Sequence, residues 1–262
     1  MSEMIDFGSG PVPAHRHSNG GGWVADTALV TASAYISGSA CVYGNAHVSG
    51  DARVYGNARV YGNARVYGNA KIHGDANVSD NAYVSGNACV YGNAHVYGDA
   101  HVYGDAYVSG NAHVSGNANV YGDANVSGSA RVYGDAKIHE HMWVSFSHVT
   151  TDLSTDLVAS LRTQCNLMFM RDEVICFKRV KADLSSEYDD NFKYVIGEWA
   201  KVKDPDMSNK SCAPGLHFSH ATYYDVTPSS KTLICKVLKD DIITIQQGKI
   251  RAKKALVLGV CE

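Results

Sequence analysis

Histidine is the residue type in this chain best suited to acid–base or metal chemistry, and its placement is regular. His95 and His113 lie eighteen residues apart, while His47, His73, His101 and His139 recur at positions also filled by Arg, Asn, Tyr and Ser. Two stacked imidazoles could hold a metal, but a zinc-type site needs three or four ligands and no third partner accompanies this pair. Variation on a solvated face explains them as well, so no metal is assigned. His217, just after Pro214 and Gly215, could act as an acid or base or touch a nucleotide; a turn histidine bonded to backbone is the plainer alternative. Lys249, Arg251, Lys253 and Lys254 alternate along a strand-like segment and would make one cationic face. Such a face could meet phosphates, or it could blunt a strand edge. The seven cysteines include no Cys-x-x-Cys pair, so they read as neither a zinc knuckle nor a disulfide framework. No catalytic residue and no cofactor is assigned.

The bulk numbers narrow the partners. Lys and Arg total 23 against 26 Asp and Glu, a balance unlike the basic excess of a duplex DNA binder. Residues 1–16 are polar and lack the apolar run of a signal peptide, and no stretch reaches the length of a membrane span. The expected setting is cytoplasmic and reducing.

The elements that must position these side chains follow from a period of six. From Val24 to Val144 a Val or Ile falls at every sixth residue, and Ala stands two positions before each from Ala28 to Ala136. The unit reads V-[YS]-G-[ND]-A-x. Residues two apart share a side of an extended segment, so Ala and Val face inward and the residue between them faces out. Gly followed by Asn or Asp then turns the chain, because these residues tolerate positive φ. Three hexads close one triangular coil. Twenty-one aliphatic positions give about seven coils, a prism roughly 34 Å long at the usual strand spacing.

This pattern resembles the hexapeptide-repeat family over residues 24–149. The resemblance implies a mainly β fold, a left-handed parallel β-helix of about seven coils, assembled as a homotrimer. The stretch from His15 to Trp23 is similar to the lead-in of phage-borne repeats, and residues 1–22 are expected to cap the first coil. Met142, Trp143 and Phe146 would close the last. Acyltransferases and carbonic anhydrases of the family extrude a loop from one corner near a subunit boundary; here no hexad is interrupted. The face bearing Cys89, Tyr91, Tyr107 and Trp143 carries no formal charge from Cys89 to Ser145, while the other two faces carry Arg131, or Lys137 with several His. Interfaces shed charge at their centre and gather Tyr and Trp, so this face is the expected contact.

After Val149 the period stops, and residues 150–262 read as a small α+β domain. A helix is expected over 151–164, capped by Thr151 or Ser154, with Leu153, Leu157, Val158 and Leu161 on its apolar side. Strands are expected at 174–177, 232–237, 242–245 and 255–260. The blocks Tyr188 to Tyr194, Gly197-Glu198, Cys212 to His217, Tyr223 and Gly248 to Arg251 resemble the C-terminal part of phage rapid-lysis B-type proteins. A looser similarity links Gly215 to Ser219, ahead of Tyr223, to ADP-ribosyltransferases. It pairs Lys178 or Arg179 with the family's early basic residue, but Lys253 or Lys254 stands at the late Glu that orients the ribose. Together these imply His217, Tyr223, Arg179, Lys249 and Arg251 as candidate ligand contacts. The expected function is a non-enzymatic phage accessory protein, a trimeric scaffold displaying a recognition domain in the infected cell. The alternatives are a binder that sequesters a host nucleotide or host protein, and an ADP-ribosyltransferase-like enzyme.

Overall fold

A computed structural model describes residues 2–140, 142–145, 147–153, 155–208, 214–220, 230–246 and 248–261. The chain divides into two compact units, Met1–Thr155 and Asp156–Glu262. No helix among the described residues is long and apolar enough to cross a membrane.

The first unit is a parallel β-solenoid of about seven coils. Its short strands run from Trp23–Ala25 to His148–Val149 and fall into three sheets, each strand pairing with the one eighteen residues further on, as Val66 does with Val84 and Val90 with Val108. Every aliphatic residue of the period from Ile36 to Val144 is fully buried, and so is every Ala from Ala34 to Ala136. The alternation required by the strand therefore puts the whole apolar repeat on the axis. Backbone polar groups are satisfied along that axis: Tyr107 donates its N–H to the Ala124 carbonyl at 2.9 Å, and Ser109 to that of Val126 at 2.8 Å.

The corners explain the glycines. Gly104 has φ +75°, and a Cβ there would lie 2.9 Å from the Gly122 nitrogen on the next coil. Left-handed backbone and close coil approach thus both demand the absence of a side chain. Asp80 and Glu140 occupy glycine positions of the repeat at φ 56° and 51°. Asp80 offsets part of that strain by accepting the Gly98 N–H at 3.1 Å.

The ends depart from the repeat. Strands Glu3–Asp6 and Pro11–Arg16 form an antiparallel hairpin that adds to the Trp23–Ala25 strand, making one sheet ten-stranded. The hairpin turn is held by Asp6, which accepts the Gly8 and Gly10 N–H groups. Gly22 lies on Ile36, donating to its carbonyl at 2.7 Å, and a Cβ on Gly22 would lie 2.6 Å from Ile36 Cγ2. At the far end Val132 pairs with Val149, one residue short of the usual offset. Phe146, expected to help close this coil, lies outside the described residues.

The second unit holds one α-helix among its described residues, Leu157–Cys165. It starts later than the sequence suggests, because Thr151 and Leu153 are still engaged with the solenoid strand at Lys137. The cap is Asp156, whose carboxylate accepts the Ala159 N–H at 2.9 Å; it is not Thr151, and Ser154 lies outside the described residues. Leu161 and Cys165 face the core, whereas Val158 is exposed. A four-stranded antiparallel sheet has the order Glu173–Lys181, Ser230–Leu238, Lys254–Cys261, Trp199–Lys201, and a three-stranded one the order Leu216–Phe218, Lys249–Ala252, Ile242–Gln246. The two meet where Phe177 and Ser219 exchange backbone hydrogen bonds, at 2.8 and 2.9 Å. Leu161, Val174, Cys176, Phe218, Leu233 and Ile250 are among the core they enclose.

Candidate functional site

On the solenoid, the outward repeat positions place like rings on successive coils. His95 and His113 stack at 4.9 Å between centroids with their planes 10° apart. Tyr55, His73 and Tyr91 form one column at 4.7 and 5.1 Å, and Tyr103, Tyr121 and His139 another at 5.1 and 5.3 Å. The spacing is that of neighbouring strands, so these rings are ladder packing imposed by the period. Burial pulls His113 below its ordinary value, and the nearby His95 and Arg131 act in the same direction. No group of three metal-ligating side chains occurs among the described residues.

The face that lacks charge from Cys89 to Ser145 is mixed in character. Cys89 is buried, its Sγ 3.5 Å from His73 Nε2. Burial pushes the thiol up despite the opposing pull of Lys71, so it is a packed thiol rather than a nucleophilic thiolate. Tyr91 is half-buried in its column. Tyr107 and Trp143 remain 46% and 48% exposed, with Asn125 paired between them along the sheet. The sequence reading missed the corner ladders. Asn69 donates its side-chain amide to Asn87 at 3.1 Å, and Asn87 donates to Asp105 at 2.8 Å. The eighteen-residue recurrence of Asn was the available signal.

In the second unit, strand alternation sorts the basic residues. Leu216, Phe218, Ile250 and Ala252 fill the core. The intervening His217 and Arg251 are therefore directed to the other face, where they stand opposite each other across the antiparallel pair, with Lys249 two residues from Arg251 on the same side. Arg251 is only 2% exposed; its guanidinium donates to the Ser208 carbonyl. Its aliphatic stem lies against Gly215, where a Cβ would sit 2.6 Å from Arg251 Cγ, and this close approach accounts for the glycine.

Lys178 sits on the core side of its strand with Val174, Cys176 and Val180. Its ammonium donates to the His217 carbonyl at 3.3 Å and lies 5.5 Å from the Tyr194 ring centre. Burial lowers its pKa to about 8. His217 is pulled down to about 4, first by burial and then by Lys178, Arg251 and Lys249. It is neutral near pH 7, held so in part by its cationic neighbours.

Of the expected ligand contacts, His217, Lys249 and Arg251 come together. Arg179 is on the opposite face of its strand from Lys178 and binds Glu187 at 2.7 Å. Tyr223 and Cys212 lie outside the described residues. The single cationic face expected from Lys249 to Lys254 is divided, because the strand ends at Ala252. Lys253 turns to the Asp240 carbonyl at 3.4 Å, and Lys254 opens a strand of the other sheet beside Asp241, at 3.5 Å.

Residues 52–68 and 58–74 match the YdcK β-solenoid repeat. The match falls on the Arg-rich coils of the first unit, and the chain is similar to that repeat there. No curated protein matches the chain.

Proposed function

We propose that this protein is a non-catalytic scaffold: a solenoid that self-associates as a trimer and displays a C-terminal recognition domain. The observation that carries the reading is the unbroken period. Every coil from Ile36 to Val144 keeps its aliphatic residue buried, and outward rings such as Tyr55, His73 and Tyr91 or Tyr103, Tyr121 and His139 are taken up in ladders. Such a stack of nearest-neighbour units gives length and stiffness without a covered cleft for chemistry. Trimerisation draws on the likeness to hexapeptide-repeat proteins and on the half-exposed Tyr107 and Trp143 of a face that carries no formal charge from Cys89 to Ser145. The likeness of the C-terminal blocks to phage rapid-lysis B-type proteins makes this an accessory role in an infected cell. A second reading, capture of a host nucleotide, is favoured by the grouping of His217, Lys249 and Arg251. Sedimentation of the full chain tests the scaffold: a trimer supports it, and a monomer at all concentrations refutes it.

A further inference from the structure

We propose that the trimer closes through an edge-on-face contact between copies of this chain. The ridge bearing Asp75, Asn93, Asn111 and Ser129 in one subunit lies along the face bearing Lys71, Cys89, Tyr107 and Asn125 in the next. The inference rests on the trimer reading and deepens it by naming what covers the half-exposed face. The geometry comes first. The short strands form three parallel sheets around one axis, so the solenoid is a three-sided prism. A threefold rotation along that axis carries each face direction onto that of another face and never onto its opposite. Two flat faces therefore cannot lie flush in the ring. A ridge of one subunit must rest on a face of the next, a heterologous contact that closes after three copies. By the same rotation, a face is met head-on by one of the two ridges that border it, never by the ridge opposite.

Charge then chooses the ridge. From Val24 to Val149 every Arg and Lys stands on a strand, and every Asp and Glu stands at a corner. The two ridges that border the Tyr107 face differ. One carries Asp51, Asp105, Asp123 and Glu140. It would set carboxylates at the coils of Tyr107, Asn125 and Trp143, where the face offers no cation. The other leads to the sheet of His95; Asp75 is its one acid, and it is neutral from Asn93 to Ser129. With the subunit axes parallel, residues of one coil stand level. Asp75 then meets Lys71, and the neutral stretch meets Cys89, Tyr107 and Asn125. Lys71 and Asp75 are both exposed. Neither is in an ion pair of its own chain among the described residues. The Asp75 carboxylate accepts the Asn57 side-chain amide at 2.8 Å, which fixes it on the ridge. An ion pair bordering an uncharged aromatic patch is the usual division of a contact into apolar centre and polar rim.

The test is charge reversal in the full-length chain, read as mass by light scattering over a dilution series at low salt. Lys71→Asp sets a carboxylate against the neighbour's Asp75, and Asp75→Lys sets two lysines together. Each should raise the concentration at which the trimer dissociates by about tenfold or more. Mixing the two variants should lower it again, because most contacts in a mixed ring then join opposite charges. A pair confined to one chain would gain nothing from mixing. Lys71→Asp and Asp75→Lys in the same chain should restore the parent's behaviour. Asp105→Lys, on the other ridge, should leave the mass unchanged. Circular dichroism checks that these exposed substitutions keep the fold. The proposal is overturned if both single variants assemble as the parent does, if mixing them recovers nothing, or if Asp105→Lys alone dissociates the ring. A trimer indifferent to the Lys71 and Asp75 reversals would end this proposal and keep the scaffold reading; a monomeric parent would end both.

Discussion

Replacing Val90 by Asp probes the solenoid at its centre. Val90 is fully buried in a column between Ile72 and Val108. Losing the buried valine costs about 1.5–3 kcal/mol. The new carboxyl would ionise near pH 3.9 in the unfolded chain, but burial raises that value by about 3–5 units in the folded state. At about pH 7 the folded protein must hold a proton that the unfolded chain has released, which costs about 4 kcal/mol more. The sum, about 6 kcal/mol, is comparable to the whole stability of many domains. The sign of the pH effect follows from the raised pKa. The ionisation penalty is absent below about pH 4 and grows by about 1.4 kcal/mol per unit up to the folded pKa. Urea unfolding followed by far-ultraviolet circular dichroism should therefore show a loss at neutral pH that shrinks on acidification. Val90→Thr should show a smaller loss with no pH dependence. An Asp variant with the parent's midpoint at neutral pH, or a penalty that ignores pH, would refute the burial of this column.

Gly104→Ala combines a left-handed backbone with a Cβ 2.9 Å from the Gly122 nitrogen, so it should cost about 2 kcal/mol or more in the same unfolding assay; a neutral result would contradict the corner geometry. Tyr107→Glu places a charge on the half-exposed aromatic face and should lower the oligomer mass in sedimentation, while an unchanged mass would remove that face from the contact. His217 has a folded pKa of about 4 against an ordinary 6.5. The unfolded chain then binds the proton first, so the second unit should lose stability as pH falls from 6.5 towards 4. His217→Gln should flatten that dependence in a thermal melt, and an unaltered profile would show that the buried imidazole is not its source.

The solenoid was legible because one buried column repeats the same demand in every coil. A valine at each sixth residue admits only one inward face, and Gly-Asn can only be its corner. The N-terminal hairpin was not legible: Pro11 and Pro13 argue against a strand, and pairing with Trp23–Ala25 depends on where the first coil ends. Lys178 was obscured for a related reason. A lysine beside Arg179 looks solvated, and only the long pairing of Glu173–Lys181 with Ser230–Leu238 puts it on the core side. His217 and Arg251 are thirty-four residues apart in sequence and opposite each other in the sheet. Non-local antiparallel register of that kind leaves no periodic trace. Lys253 and Lys254 misled for the complementary reason, since alternation was extended across a strand break that no Gly or Pro marks.

The most direct test of the scaffold is the absolute mass of the full chain by light scattering during gel filtration. A single species at three times the chain mass of 28.2 kDa is the predicted result. A species at the mass of one chain, unchanged on concentration, would contradict it.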